Sequence, residues 1–271
     1  FGVSKHLFPI YDKPMLYYPL TTLMHAGIRE IAIIGDEYNI EIYKNILGNG
    51  EGFGIDLTYI IQKRPNGIPE AFSLGKSFLS GCPCALILGD NFFYGSGLLD
   101  LLSLANGKEH RGHIFLTKVR DPNRFGIAKL NSKKEVISFE EKPSSSSSNL
   151  AITGLYFLDK DVPIFSEKLT FSNRGELEMI ELLTIYLRKK LLDVTMIGRG
   201  FMWFDAGTPS SLLRAANFVE SIQFRQGLLI GSPEEVALSK GWIDKDILLK
   251  QAKWQKNSLY GKYLNELAYA T

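Results

Sequence analysis

Blocks of apolar residues alternate with blocks of helical period from the start of the chain. Lys13 to Ala26 carries helix-forming residues and stops at Gly27, a residue type that ends helices. Ile28 to Ile34 is a nearly continuous apolar run, as in a strand buried on both faces. Glu37 to Leu47 returns to helical period and is closed by Gly-Asn-Gly at 48–50. Ile55 to Ile61 predicts the next strand, and Pro69 to Leu79 the next helix, with proline in its first turn. Ala85 to Leu88 is a short buried strand that runs directly into Gly89-Asp90-Asn91. This repeated order predicts an α/β fold, a doubly wound, mainly parallel sheet with helices on both faces. Ligands of such sheets sit beyond the carboxyl ends of the strands, where Asp90 falls.

The pattern changes after residue 110. Ile114–Val119, Gly126–Leu130, Val136–Glu141 and Leu150–Leu158 read as strands with little helix between the middle ones, so the sheet is expected to be mixed. Ser144 to Ser148, a run of five serines after Pro143, reads as a solvated flexible loop. Glu176 to Lys190 is a strongly amphipathic helix, and Val194–Ile197 and Phe201–Phe204 are short strands. Thr208-Pro209 starts a helix to about Gln226, with threonine as cap and proline in the first turn. Helical patterns at 233–240, 244–253 and 258–268 complete a C-terminal helical appendage, residues 227–271, on an α/β body of residues 1–226.

Charge and cysteine content narrow the function. With 31 Lys and Arg against 29 Asp and Glu, the net charge of +2 lacks the basic field of a nucleic-acid-binding protein. No apolar run reaches the roughly 18 residues of a membrane span. Cys82 and Cys84, the two cysteines, exclude a disulfide framework or a four-cysteine zinc site and read as small residues entering a buried strand. Free thiols and no secretory leader predict the cytoplasm.

The candidate chemistry is carried by carboxylates and lysines. Asp90, in Leu-Gly-Asp-Asn, and Asp205, in Trp-Phe-Asp-Ala-Gly-Thr, each end a strand. They either cap the next helix or converge on one hard cation such as Mg²⁺, which neutralises phosphate oxygens in phosphoryl or nucleotidyl transfer. Lys142, in Glu140-Glu141-Lys142-Pro143, is either half of a surface ion pair or an ammonium placed for a phosphate. Lys5 and Lys13 either serve an anion or solvate a loop. The acids of Arg174-Gly175-Glu176-Leu177-Glu178 suit the first turn of a helix. His6, His25, His110 and His113 show no metal-ligand spacing, and no G-x-S-x-G elbow is present.

Taken in order, Ser4-Lys5-His6-Leu7-Phe8-Pro9-Ile10-Tyr11-Asp12-Lys13-Pro14-Met15, Leu88-Gly89-Asp90-Asn91, Glu141-Lys142-Pro143, Thr153-Gly154-Leu155-Tyr156, Arg174-Gly175-Glu176-Leu177-Glu178 and Trp203-Phe204-Asp205-Ala206-Gly207-Thr208 resemble the glucose-1-phosphate thymidylyltransferases of the longer form. The likeness runs over essentially the whole chain. It implies a Rossmann-like nucleotidyltransferase fold that makes dTDP-glucose and pyrophosphate from dTTP and glucose 1-phosphate. Related enzymes that use UTP or another hexose, and catalytically silent nucleotide-sugar-binding homologues, are the alternatives. The resemblance implies that Asp90 and Asp205 hold Mg²⁺, that Lys142 holds the sugar phosphate, and that Lys5 lies near the nucleotide phosphates. It implies that Gln62 and Gly67 read the thymine. It further implies that Phe125, Gly126, Glu141, Ile152, Thr153 and Glu176 form the hexose pocket. It implies a homotetramer, a dimer of dimers whose helical tail makes subunit contacts and a second nucleotide site, and neither nucleic acid nor membrane as a partner.

The sequence departs from the family pattern in places. Phe125 stands where tyrosine is usual, Pro69 and Glu70 replace a small and an amide residue, and Ala206 replaces threonine. The family opens with a strand and a G-x-G-T-R-x-x-P loop that cradles the triphosphate. By comparison roughly 20 residues, that strand and loop, precede Phe1. One geometric tension remains. Strand alternation puts Glu141 and Lys142 on opposite faces, so both reach one substrate only if the strand ends or twists there, which Pro143 favours.

Overall fold

The computed structural model describes residues 4–106 and 110–270; Phe1, where the implied upstream loop would join, lies outside them. In chain order the strands and helices begin with β1 (Pro9–Ile10), β2 (Lys13–Pro14), α1 (Tyr17–His25), β3 (Glu30–Gly35), α2 (Glu37–Leu47) and β4 (Asp56–Ile61). Next come α3 (Glu70–Leu74), α4 (Lys76–Leu79), β5 (Cys84–Ile87), β6 (Asn91–Gly95), α5 (Leu98–Asn106) and β7 (Gly112–Lys118). Then follow β8 (Gly126–Leu130), β9 (Val136–Glu141), β10 (Leu150–Leu158), α6 (Val162–Ser166), α7 (Met179–Arg188), β11 (Leu192–Met196) and β12 (Phe201–Asp205). The chain closes with α8 (Pro209–Gln226), α9 (Pro233–Ser239), α10 (Lys245–Trp254) and α11 (Leu259–Ala270). None of the described helices is long and apolar enough to cross a membrane.

These elements fall into two compact units. The first is Phe1–Ile61, Leu88–Gly95 and Met202–Thr271; the second is Gln62–Ile87 and Ser96–Phe201. The α/β class and the mixed sheet hold. The division does not follow the expected boundary at residue 226, because the helical tail is part of the first unit, where α9 packs on α1.

In the first unit β3 and β4 pair in parallel from Glu30 opposite Asp56 to Gly35 opposite Ile61, and β6 pairs with β12. Its aromatic core runs from Tyr18 to Phe92 to Phe204 to Phe218, with ring centroids 4.9, 4.7 and 5.1 Å apart. A polar cluster joins the N-terminal hairpin to the tail. Buried Lys13 donates to Asp12 at 2.6 Å, to the Ile230 carbonyl at 2.9 Å and to Gln223 at 3.3 Å. Glu234, fully buried at the start of α9, accepts from the Tyr260 hydroxyl. Burial pushes the Glu234 carboxyl up to about 7, against opposing contributions from Tyr260 and Lys13.

In the second unit β10 is the centre, buried along all nine residues. It is antiparallel to β7 on one edge, and on its other edge to β8 through Ala151 and to β5 from Leu155 onward. β11 adds to β7 in parallel, and β9 to β8 antiparallel. The register against β7 shifts between Ile152 and Tyr156, a bulge of the kind that re-aims side chains beside sites. The side chains of Leu182, Leu183 and Tyr186 on α7 are fully buried in a core with Ile114, Leu116 and Leu158.

Several boundaries differ from the expected ones for local reasons. The first helix starts at Tyr17, not Lys13, because Lys13 precedes a proline, which disfavours helical backbone, and pairs with Ile10 in a hairpin. The helix expected at 69–79 is split in two at Gly75. The helix expected from Glu176 begins at Met179, because the Leu177 N–H donates to the Asn66 carbonyl at 2.7 Å and holds that stretch extended. Strand β6 and helices α5 and α6 were not expected. Of the two free cysteines, Cys84 enters the strand and Cys82 is exposed. The serine run is tied down at two points, by Ser146 Oγ on Glu140 and by Ser148 Oγ on the Ala128 carbonyl.

Candidate active site

The expected site residues form two groups, one in each unit. In the first unit Asp90 follows β5 and Asp205 ends β12. The Ala206 N–H donates to the Asp90 carbonyl at 2.8 Å, which fixes the two strand ends to each other. A Cβ placed on Gly207 would lie 2.9 Å from Asp205 Oδ1, 2.9 Å from Asp90 Oδ2 and 3.6 Å from Lys5 Nζ. Two carboxylates and an ammonium therefore converge on one point that only glycine leaves open. Lys5 Nζ sits 2.5 Å from Asp90 Oδ2. Burial acts to raise the Asp90 carboxyl, but Lys5, with Asn91 and His6, outweighs it and holds the group below the ordinary carboxylate value.

A second layer holds these groups in place. Asn91 Nδ2 donates to Asp90 Oδ1 at 2.8 Å, and Trp203 Nε1 donates to Asn91 Oδ1 at 2.6 Å. The Gly207 N–H donates to Asp205 Oδ1 at 3.1 Å. Thr208 caps α8, and Ser211 completes a capping box. So Asp205 serves the turn as well as facing Asp90, and the helix cap falls to Thr208. The His6 ring lies against Gly89 and bonds with Ser4 and Tyr43. Burial pulls its basicity down, with Asp90 opposing and Lys5 adding. Lys13, the alternative anion-binding lysine, is instead buried in the hairpin cluster. Among the described residues no three His, Cys, Asp or Glu form a metal cage. Two carboxylates suit a Mg²⁺-type ion, which keeps open positions for water and phosphate oxygens.

In the second unit β9 ends at Glu141, and Lys142 takes a left-handed φ of +39°. That conformation costs a non-glycine residue about 1–3 kcal/mol. It resolves the alternation problem, since Lys142 Nζ comes within 3.7 Å of Glu141 Oε1. Glu140, on the other face, pairs with Lys129 at 2.6 Å. Gly126 lies opposite Glu141 in the ladder. A Cβ on it would stand 3.1 Å from Ile180 Cγ2, 3.4 Å from Glu141 Oε2 and 3.5 Å from Ile152 Cδ1, so Gly126, Glu141 and Ile152 line one spot that a larger residue at 126 would crowd. Ile152 and Thr153 occupy the stretch of β10 where its edge passes from β8 to β5. Thr153 is fully buried, and its hydroxyl has no hydrogen-bond partner among the described residues. Phe125 precedes Gly126, and its carbonyl accepts from the Lys142 N–H at 3.1 Å.

Arg174 organises the acids of this group. Its guanidinium is 3.2 Å from Glu141, 3.5 Å from Glu176 and 3.5 Å from Glu178. Burial, with the charge of Glu178, raises the Glu141 carboxyl, and Lys142 and Arg174 only partly offset the rise. Neither Arg174 nor Glu178 was marked as a site residue from sequence, where the segment read as an ordinary helix start. Gly67 has φ +109°, and a Cβ there would meet the Leu177 carbonyl oxygen at 2.2 Å. Gln62 Nε2 and Asn66 Nδ2 each donate to Glu70 at 2.7 Å. The expected base-reading segment is thus pinned at Gly67 to the chain that carries Glu176.

Comparison with known proteins places the chain in a family. A family model described as Nucleotidyl transferase matches residues 1–222. Glucose-1-phosphate thymidylyltransferase of Xanthomonas campestris pv. campestris is 45% identical over 98% of this chain and 90% of its own length. The enzyme of that name from Neisseria gonorrhoeae is 43% identical over 98% of this chain and 92% of its own. A Bacillus anthracis protein described as a glucose-1-phosphate thymidylyltransferase and solved with sucrose superposes with a TM-score of 0.73. It is 32% identical, with 80% of this chain and 86% of that one covered.

Proposed function

The chain belongs to the nucleotidyl transferase family, and within it to the glucose-1-phosphate thymidylyltransferases, and from that premise we propose that it makes dTDP-glucose and pyrophosphate from dTTP and glucose 1-phosphate by one direct displacement. A phosphate oxygen of glucose 1-phosphate attacks the α-phosphorus of dTTP. The bond from that phosphorus to the β-bridging oxygen breaks, and pyrophosphate leaves with the electron pair. The nucleophile is already anionic, so no side chain has to remove a proton. What remains for the protein is positioning and charge neutralisation.

The convergence of Asp90 and Asp205 over Gly207 carries this reading. Nucleotidyl transferases generally work with a divalent metal, and these two carboxylates would hold Mg²⁺. When bound, that ion neutralises phosphate oxygens at the reacting phosphorus. Lys5 adds a positive charge at the same point. Lys142 holds the sugar phosphate, and Glu141, with Gly126, Ile152, Thr153 and Glu176, receives the hexose, Arg174 keeping the three glutamates in register. Gln62 and Gly67 read the base.

The assembly we propose is a homotetramer with contacts and a second nucleotide site made by the tail, residues 227–271. The apolar side chains of Leu228, Trp254 and Leu259 in that tail, all more than half exposed, support it, and a single-chain mass by light scattering would contradict it. The free thiols of Cys82 and Cys84 support a cytoplasmic setting.

The test is pyrophosphate release by the full-length protein with glucose 1-phosphate, Mg²⁺ and each nucleoside triphosphate in turn. Release fastest with dTTP, and dependent on Mg²⁺, is the expected result. Fastest release with UTP would move the assignment to the uridylyl enzymes, and no release with any nucleotide would refute it.

A further inference from the structure

Glu70 is not among the residues assigned to base, sugar or metal, yet it sits directly behind one of them. Its carboxylate takes Gln62 Nε2 on Oε2 and Asn66 Nδ2 on Oε1, both at 2.7 Å. A carboxylate only accepts hydrogen bonds, and an amide has one accepting and one donating end. Either amide turned end for end would set two acceptors against each other. Glu70 therefore fixes the orientation of both, and Gln62 is left with its carbonyl oxygen and its second N–H to present.

We propose that Glu70 is a specificity-determining positioning residue that restricts the site to bases carrying an imide edge, an N–H beside a carbonyl. The proposal rests on the reading of Gln62 as the base-contacting residue. An imide edge offers a donor next to an acceptor, which matches the acceptor and donor that Gln62 presents. The cytosine edge offers the reverse, a ring-nitrogen acceptor beside an amino donor. Only a turned Gln62 would satisfy it, and Glu70 forbids the turn. Sites with fixed polar groups reject a mismatched partner strongly, because both sides are left unpaired. Glu70 thus separates thymine and uracil from cytosine and does not separate the first two.

The test compares kcat/KM for dTTP and dCTP at saturating glucose 1-phosphate in four proteins: wild type, Glu70→Gln, Glu70→Gln with Asn66→Asp, and Gln62→Leu. Gln at position 70 offers one acceptor for two donors, so one amide must turn. The dTTP/dCTP ratio is expected to narrow at least about tenfold, while KM for glucose 1-phosphate stays unchanged. Adding Asn66→Asp supplies an acceptor that takes the new NH₂ and returns the carbonyl of residue 70 to Gln62. The ratio is expected to recover, which a simple packing defect would not do. A Glu70→Gln enzyme that keeps the full ratio while Gln62→Leu loses it overturns the role of Glu70 and leaves that of Gln62 standing. A narrowed ratio that the double variant fails to restore also overturns it. A full ratio in Gln62→Leu overturns the base-reading assignment and the proposal with it.

Discussion

Replacing Asp205 with Asn is expected to lower turnover by at least about a hundredfold, the scale seen when one preorganised electrostatic group is removed from a transition state. The melting temperature should shift little. The two halves of this expectation have separate causes. Asp205 Oδ1 accepts the Gly207 N–H at 3.1 Å, and the amide oxygen of Asn can accept the same bond, so the turn into α8 keeps its shape. What Asn removes is one of the two negative charges that face each other across Gly207. The remaining carboxylate, Asp90, is already engaged by the Lys5 ammonium. On the proposed reading a divalent cation would then have one formal anionic ligand in place of two. The variant should need more Mg²⁺ for half-maximal rate, and its residual rate should rise with added Mg²⁺. Near-normal turnover at the wild-type Mg²⁺ concentration would remove Asp205 from the metal site. The matching Asp90 variant is a less clean probe, because it also breaks the ion pair with Lys5.

The second large effect is expected at Lys142. Lys142→Met should cut kcat/KM for glucose 1-phosphate by about a hundredfold, because a charge-assisted contact to a phosphate is lost. KM for dTTP should change far less. Stability should not fall, since the ion pair of Lys142 with Glu141 spans 3.7 Å and the lysine side chain is 46% exposed, and pairs of that kind are worth little. The backbone there holds a φ of +39°, a conformation unfavourable to any side chain. The segment keeps it because the Lys142 N–H is bonded to the Phe125 carbonyl. Strain retained at a residue that stability does not need points to function. An unchanged kcat/KM for the sugar phosphate would remove Lys142 from the site.

The fold was legible where burial sets the sequence period. The apolar runs at 28–34, 55–61 and 150–158 fall on β3, β4 and β10; β10 is buried along all nine residues, and a strand so covered tolerates few polar residues, whereas β4 leaves Asp56, Thr58 and Ile61 exposed. The two aspartates were legible for a related reason, since each closes such a run just before a turn. What the sequence did not disclose depends on partners distant in the chain. Leu177 is extended because Asn66, far upstream, accepts its N–H, and no local propensity encodes that. Lys13 read as a lysine that serves an anion or solvates a loop, whereas its three acceptors come from Asp12, Gln223 and Ile230, two of them contributed by the C-terminal part of the chain. Arg174 was hidden by its neighbours. Acids at a helix start have a sufficient local explanation, which drew attention from the arginine that holds Glu141, Glu176 and Glu178 together. Asn91 and Trp203 carried a weak signal. Each sits within two residues of a candidate ligand, but their mutual bond requires β6 and β12 to be neighbours.

In the proposed reaction the sugar phosphate displaces pyrophosphate directly while the side chains hold and neutralise. The most direct measurement is isotope exchange between labelled pyrophosphate and dTTP by the full-length enzyme with Mg²⁺, with and without glucose 1-phosphate. No exchange is expected until the sugar phosphate, or dTDP-glucose in the reverse direction, is supplied, because in a direct displacement no protein group accepts the nucleotidyl moiety. Rapid exchange with dTTP and pyrophosphate alone would reveal a covalent nucleotidyl-enzyme intermediate and contradict it.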